Sequence, residues 1–289
     1  MPDSDDRRRA AVGAFAALAA ACALATAIAY LVAIRTAEGQ RLDDAARGRL
    51  SPFDEPGAYS ATESLLETIS VSSLALFGIG IMAIAFARGR PRLALGAGVV
   101  VLGANLTTQF LKGSLDRPDL VNGYGSEPGA FPSGHVTVAM SLAMALVLVV
   151  PPAVRWLAAV AGCGYASLVG VAVLALDWHR PSEAVAGYLV CVGWAAAVAA
   201  VIVAVRGTRE LSAGGSAVAS RAGAVAAVVV GGVFIAVVAV TAVRRLDLIE
   251  FGGDSTAFAA AAVVVVAACV GLGAIMTSLL QRAAGSSSG

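Results

Sequence analysis

The sequence predicts an all-α polytopic membrane bundle of about eight helices, and three observations predict it. Mean hydropathy is +0.83, with 58% of residues hydrophobic and 13% charged, outside the range of an ordinary soluble domain. Eight apolar runs approach or exceed the about 20 residues that a bilayer-spanning helix needs: 10–34, 64–87, 93–111, 134–151, 156–176, 183–205, 222–243 and 256–279. Basic residues gather in alternate turns between those runs. In lipid every backbone polar group must be satisfied within the chain, so runs of this length imply helices rather than strands.

The first run follows Arg7, Arg8 and Arg9. It is longer than the 7–15 apolar residues of a signal-peptide core, so a retained helix is expected. Residues 36–62 form a loop with a short helix expected near 40–50, where Leu42, Ala45, Ala46 and Leu50 share a face that would lie on the headgroups. Glu63 and Glu67, four residues apart, mark the interface at the start of the second span. In the third span Asn105, Gln109 and Lys112 recur at helical spacing and make one polar stripe. Such a stripe faces the bundle interior. The amides alone would serve as glue between helices, but a lysine continuing the line points it towards a site. Residues 207–221 read as a Gly/Ser-rich linker, 222–280 as two additional spans, and 281–289 as a flexible tail.

Orientation follows from the basic residues. Arg7, Arg8, Arg9, Arg88, Arg90, Arg92, Arg155, Arg206, Arg209, Arg221 and Arg282 fall on one face, mostly in tight turns, which predicts that face to be cytoplasmic along with both termini. Opposite them, Arg35, Arg41, Arg47 and Arg49 sit in a loop diluted by Asp43, Asp44, Asp54 and Glu55. A net charge of +1 gives no reason to expect a nucleic-acid partner. Cys22, Cys163, Cys191 and Cys269 lie within apolar spans at spacings that suit neither a metal nor a disulfide framework. Lysine occurs once against nineteen arginines, a bias that hints at GC-rich bacterial coding.

The only lysine and the only two histidines fall in two polar stretches, Lys112 to His135 and Asp177 to Glu183, both on the outer face. Chemistry on an anion is the simplest reason for that gathering. Pro132-Ser133-Gly134-His135 stands where the fourth helix begins: proline suits a helix start, serine can cap it, and the exposed amides make a phosphate cradle. His179 and Glu183 are four residues apart, so on a helical turn the carboxylate can reach the imidazole, fix its tautomer and raise its nucleophilicity. Lys112 and Arg117 bring two cations to the same face, arginine as a fork matched to phosphate oxygens and lysine as a point charge.

Taken together and in order, these residues resemble the type-2 phosphatidic acid phosphatase superfamily, whose pattern is Lys with a downstream Arg-Pro, then Pro-Ser-Gly-His, then Ser-Arg, a histidine and an acid. The resemblance covers roughly residues 60–205 and implies a six-helix core within a transmembrane phosphatase-like domain over 1–206. It implies His179 as a nucleophile forming a phosphohistidine, Glu183 as its orienting acid and His135 as the general acid for the leaving alkoxide. Lys112, Arg117, Ser133 and the Gly134 amide would bind phosphoryl oxygens. No metal and no cofactor is implied.

Three departures from that pattern matter. Lys112 and Arg117 are separated by four residues where the family has six, which is about 140° around a helix, so Arg117 is expected beyond the end of the third span. Glu183 stands where aspartate is usual. Ala172 and Val173 stand where Ser-Arg is expected, so one phosphate-clamping arginine is missing. A lost donor of this kind commonly costs about 3 kcal/mol of transition-state stabilisation, and Arg180 is the candidate substitute.

The expectation is therefore an integral membrane phosphatase acting on a lipid phosphate or diphosphate at the outer leaflet. A polyprenyl carrier is favoured by family analogy, with phosphatidic acid and phosphatidylglycerol phosphate also fitting. One imidazole must be neutral and the other protonated, so a bell-shaped pH–rate profile is expected. The alternative is a degenerate family member that binds lipid phosphate or a partner protein without turnover. A transporter would call for proline- or glycine-broken, charge-bearing helix centres, which the spans lack. Partners are then the bilayer and a lipid substrate; the sequence does not set the oligomeric state.

Overall fold

A computed structural model describes residues 4–46, 56–67, 69–121, 127–212 and 255–285. Among them are nine α-helices: α1 (Ser4–Ala29), α2 (Ala37–Ala45), α3 (Pro56–Glu67), α4 (Val71–Ala87), α5 (Pro91–Ser114), α6 (Gly134–Val149), α7 (Arg155–Ala175), α8 (Pro181–Arg206) and α9 (Ser255–Gly285). The one sheet among these residues is a two-residue ladder, β1 (Asp116–Arg117) antiparallel to β2 (Glu127–Pro128). The all-α polytopic bundle read from the sequence stands.

Among the described residues, five continuous helical stretches are long and apolar enough to cross a bilayer: Asp5–Ile34, Pro91–Ser114, Pro152–Ala175, Pro181–Arg206 and Thr256–Gly285. The expected second span is not one helix, because α3 and α4 meet at 55°. The break has a local cause. Ser70 adopts extended backbone and accepts from the Ser73 amide, while the Ser73 hydroxyl accepts from the Ser70 amide, a reciprocal cap that starts a new helix. The fourth span, α6, is apolar but only 16 residues long. The expected seventh span, 222–243, lies outside the described residues, and α9 runs to Gly285, into the stretch read as a tail.

α6 is the centre of the bundle, packing on α4, α5, α7 and α8, with Val136, Met140, Met144 and Leu148 fully buried. Close approach depends on small residues. A Cβ on Gly187 of α8 would lie 3.0 Å from Val136 and 3.2 Å from the Ser133 carbonyl, so glycine there lets α8 press against the start of α6. α1 packs along α8, and α9 packs on α7 and α8. The four cysteines are all buried and free.

Helix direction sorts the polar residues. α5 and α7 start at the end that holds the arginine-rich turns, and α6 and α8 return to it. At that end Arg155 is a clamp rather than a surface charge. Fully buried, it donates to the carbonyls of Val147 (3.1 Å), Val150 (3.5 Å), Leu211 (3.1 Å) and Leu280 (3.2 Å), tying the end of α6 to the turn after α8 and to α9. Arg88 donates to the Val149 carbonyl, and Arg90 and Arg92 pair with Glu210. The C-terminal carbonyls of helices need such donors, and cations suit the negative end of the helix dipole. Both histidine stretches lie at the other end of the bundle.

Candidate active site

Lys112 sits in the last turn of α5, where its charge complements the helix dipole. Its ammonium reaches the first residue of α6: a Cβ built on Gly134 would be 3.8 Å from Lys112 Nζ. The polar stripe leading to it is shifted by one position from the expected one. Gln109 is exposed, and it is Thr108, buried and 3.0 Å from Thr137 Oγ1, that continues the line. Asn105 bonds the Val101 carbonyl and Ser141 Oγ, the interhelical glue of the simpler reading.

Ser133 occupies the N-cap position of α6, yet its side chain does not cap. Its amide donates to the Glu183 carbonyl at 2.9 Å and its carbonyl accepts from Thr137. The hydroxyl is fully buried and has no hydrogen-bond partner among the described residues. An unmade hydrogen bond on a buried hydroxyl costs about 1–3 kcal/mol, so this group is left ready for a ligand oxygen. His135 follows in the first turn, half-buried, with its ring 5.4 Å from Trp178 and 6.4 Å from His179, centroid to centroid.

The second stretch is fixed by the way α7 ends. Asp177 takes left-handed backbone (φ 61°), which aspartate tolerates better than most side chains. Its amide donates to the Leu174 carbonyl and that of Trp178 to the Val173 carbonyl, the paired bonds of a Schellman stop. His179 N also donates to Val173 O at 3.0 Å. Position 173, where the family pattern has arginine, is a fully buried valine whose backbone holds the histidine turn.

α8 then begins at Pro181, and its third residue, Glu183, is fully buried. Glu183 Oε2 lies 2.7 Å from His179 Nδ1 and accepts from the Arg180 amide at 3.1 Å; Oε1 accepts from Arg180 Nη1 at 3.4 Å. In the tautomer in which Nδ1–H donates to the carboxylate, the imidazole lone pair of His179 is on Nε2.

The structure thus brings Lys112, Ser133, Gly134, His135, His179 and Glu183 to one end of the bundle. The two arginines are placed differently. Arg117 does lie past the end of α5, in β1, but it is buried against Asp43 (3.5 Å) and Asp44 (3.1 Å) of α2. Arg180 pairs with Asp44 as well as Glu183, so the candidate substitute for the missing arginine is held by carboxylates.

On α2 the apolar face read from the sequence is only partly outward: Leu42 is exposed, whereas Ala46 is buried, and the polar Gln40 and Asp43 are buried as well. Gln40 bonds the Ile34 and Pro118 carbonyls and the Leu120 amide, and Asp43 accepts from Ser182 N (3.0 Å) and Ser182 Oγ (2.6 Å). Burial pushes the Asp43 carboxyl up to about 6, against the pull of the Ser182 hydrogen bonds. The signal was present in the i, i+3, i+4 spacing of Gln40, Asp43 and Asp44.

A multi-pass helical membrane protein with two facing imidazoles, one of them bonded to a buried carboxylate, has the make-up of an acid–base or group-transfer enzyme. The PAP2 superfamily matches residues 65–207, from α3 to the end of α8, and through that segment the chain belongs to this superfamily of phosphatases acting on phosphate esters. α1, α2 and α9 lie outside the matched segment. No curated protein and no solved structure matches the chain.

Proposed function

We propose that the protein hydrolyses a lipid phosphate or diphosphate through a phosphohistidine on His179. The observation that carries this reading is the His179–Glu183 pair facing His135 at a ring separation of 6.4 Å. Reacting atoms approach to about 3–3.5 Å, so the two rings can flank a single phosphoryl group. His179 Nε2 attacks phosphorus with its lone pair. The ester P–O bond breaks, its electron pair goes to the leaving oxygen, and His135 supplies that oxygen with a proton. Water then attacks phosphorus, giving a proton to His135 as the new P–O bond forms, and the P–N bond breaks with its electron pair returning to His179 Nε2. Lys112, the Ser133 hydroxyl and the Gly134 amide neutralise the phosphoryl oxygens throughout. No step asks for a metal.

The lipid assignment rests on shape. An apolar groove of about 610 Å³ between α1, α5 and α8 is lined by Leu111 and Leu115, which flank Lys112 in sequence, and by Phe131 beside the Pro132-Ser133 turn. A phosphate at the imidazoles would leave an alkyl or polyprenyl tail in that groove. α6 is about 24 Å long at 1.5 Å per residue, short of the about 30 Å hydrocarbon thickness, so His135 at its start suits headgroup depth. With the arginine-rich end cytoplasmic, the site opens to the outer leaflet. In this reading residues 1–206 are the working unit and the spans beyond 222 an addition to it.

Purified in detergent, the protein is expected to release inorganic phosphate from a polyprenyl phosphate, polyprenyl diphosphate or phosphatidic acid in the presence of EDTA, and to be inhibited by vanadate. Absence of phosphate release from all three contradicts the reading. The valine at 173 and the carboxylate-bound Arg117 and Arg180 favour the second reading, a non-hydrolysing lipid-phosphate binder. Saturable binding of those lipids without release would establish it.

A further inference from the structure

α2 belongs to no part of the matched segment, yet its two carboxylates reach the turn that carries His179 and Glu183. Asp43 accepts from the amide of Ser182, the second residue of α8. That amide is one of the first four of the helix and has no intrahelical acceptor, so Asp43 caps α8 from outside. Its other oxygen accepts from Ser182 Oγ at 2.6 Å and pairs with Arg117. Asp44 bridges Arg117 and Arg180, and Arg180 continues to Glu183 and so to His179. Asp43, Arg117, Arg180, Glu183 and His179 are buried, Ser182 is half-buried, and the Asp44 side chain is 18% exposed. Helix α2 is itself anchored by Gln40, so the carboxylates arrive on a fixed support.

We propose that Asp43 and Asp44 are positioning residues for the His179–Glu183 pair, acting through Ser182 and through the chain Asp44–Arg180–Glu183. The inference rests on the phosphohistidine reading and adds to it a part outside the PAP2 segment. Its physical content is charge balance. Asp43, Asp44 and Glu183 face the guanidinium groups of Arg117 and Arg180, and the Asp44 charge offsets those cations, which favours positive charge on His179 as it bonds to phosphorus. Without Asp44, the Arg180 guanidinium loses one of its carboxylate partners and bears more heavily on Glu183, in competition with the imidazole. Lys112 and His135 are the other titratable groups facing the pair, and both are cationic when charged.

The test compares Asp44→Asn, Asp44→Glu and Glu38→Ala with the wild type, each checked for helicity and a single detergent-solubilised species. Glu38 is on the same helix, exposed and, among the described residues, paired with Arg41, so its variant is expected to match the wild type. Outer partners of a catalytic group commonly count for about 10–100-fold. Asp44→Asn is therefore expected to lose about that much in kcat with KM little changed, and its pH–rate profile to move to lower pH. Asp44→Glu should recover most of the loss. With two histidines in the chain, the Nδ1 proton of His179 bonded to Glu183 can also be followed by NMR without turnover, and its resonance is expected to be displaced in Asp44→Asn. A folded Asp44→Asn protein with unchanged resonance and unchanged kcat overturns the proposal. So does one with raised kcat or tighter vanadate binding, which would make the carboxylates competitors of phosphate. Failure of the wild type to release phosphate, with the resonance still displaced, would instead remove the phosphatase reading.

Discussion

His179→Ala is expected to abolish phosphate release, lowering kcat by about 10⁴-fold or more, because the nucleophile and the group that receives the phosphoryl are one atom, Nε2. Residual activity would come only from the Lys112, Ser133 and Gly134 cradle polarising the ester for direct attack by water. The fold should survive. His179 lies at the end of a turn already stopped by the Asp177 and Trp178 amides. Its removal does leave Glu183 without one of its partners, but Arg180 still donates to both carboxylate oxygens. Steady-state phosphate release, read beside substrate binding, checks the prediction. Binding within a few-fold of the wild type with turnover lost is the expected pattern; wild-type turnover would remove the assignment.

His135→Asn is expected to show a graded defect. General acid catalysis contributes typically about 10²–10⁴-fold, and the loss should depend on the leaving group. An alkyl or polyprenyl alkoxide needs a proton as the P–O bond breaks, so lipid monophosphates should suffer most. An activated aryl phosphate, whose phenolate leaves unaided, should be hydrolysed at close to the wild-type first-step rate. The second step uses His135 as the base that activates water, so phosphohistidine should accumulate with the activated substrate. A burst of phenolate followed by slow turnover is the measurement. An equal loss on both substrates would mean that the ring packed against Trp178 only shapes the pocket.

The geometry that was legible in the sequence is local. His179 and Glu183 sit four apart across a helix start, and Lys112 ends a helix whose stripe could be followed turn by turn. Even there the register slipped by one, because Thr108 and Gln109 both stand within one turn of Lys112 and only packing against Thr137 decides between them. Ser133 stands at the N-cap position as expected, but its side chain does not cap, because that role depends on a rotamer that spacing does not encode. On α2 the spacing of Gln40, Asp43 and Asp44 marks a polar face but not the partners of that face. Asp43 meets Arg117 and Ser182 at separations of 74 and 139 residues, and opposite charges in a loop look like solvated neighbours until the fold juxtaposes them. The break at Ser70 was hidden by hydropathy, which scores α3 and α4 as one apolar run.

The central claim is a covalent one, and it is tested most directly by acid-free denaturing quench of the enzyme during turnover of a ³²P-labelled lipid phosphate, followed by peptide mapping of the label. The account predicts radiolabel stable to alkali, labile to acid, and carried by the peptide containing His179. Label on any other residue, or wild-type turnover with no labelled protein at the earliest quench times, contradicts it.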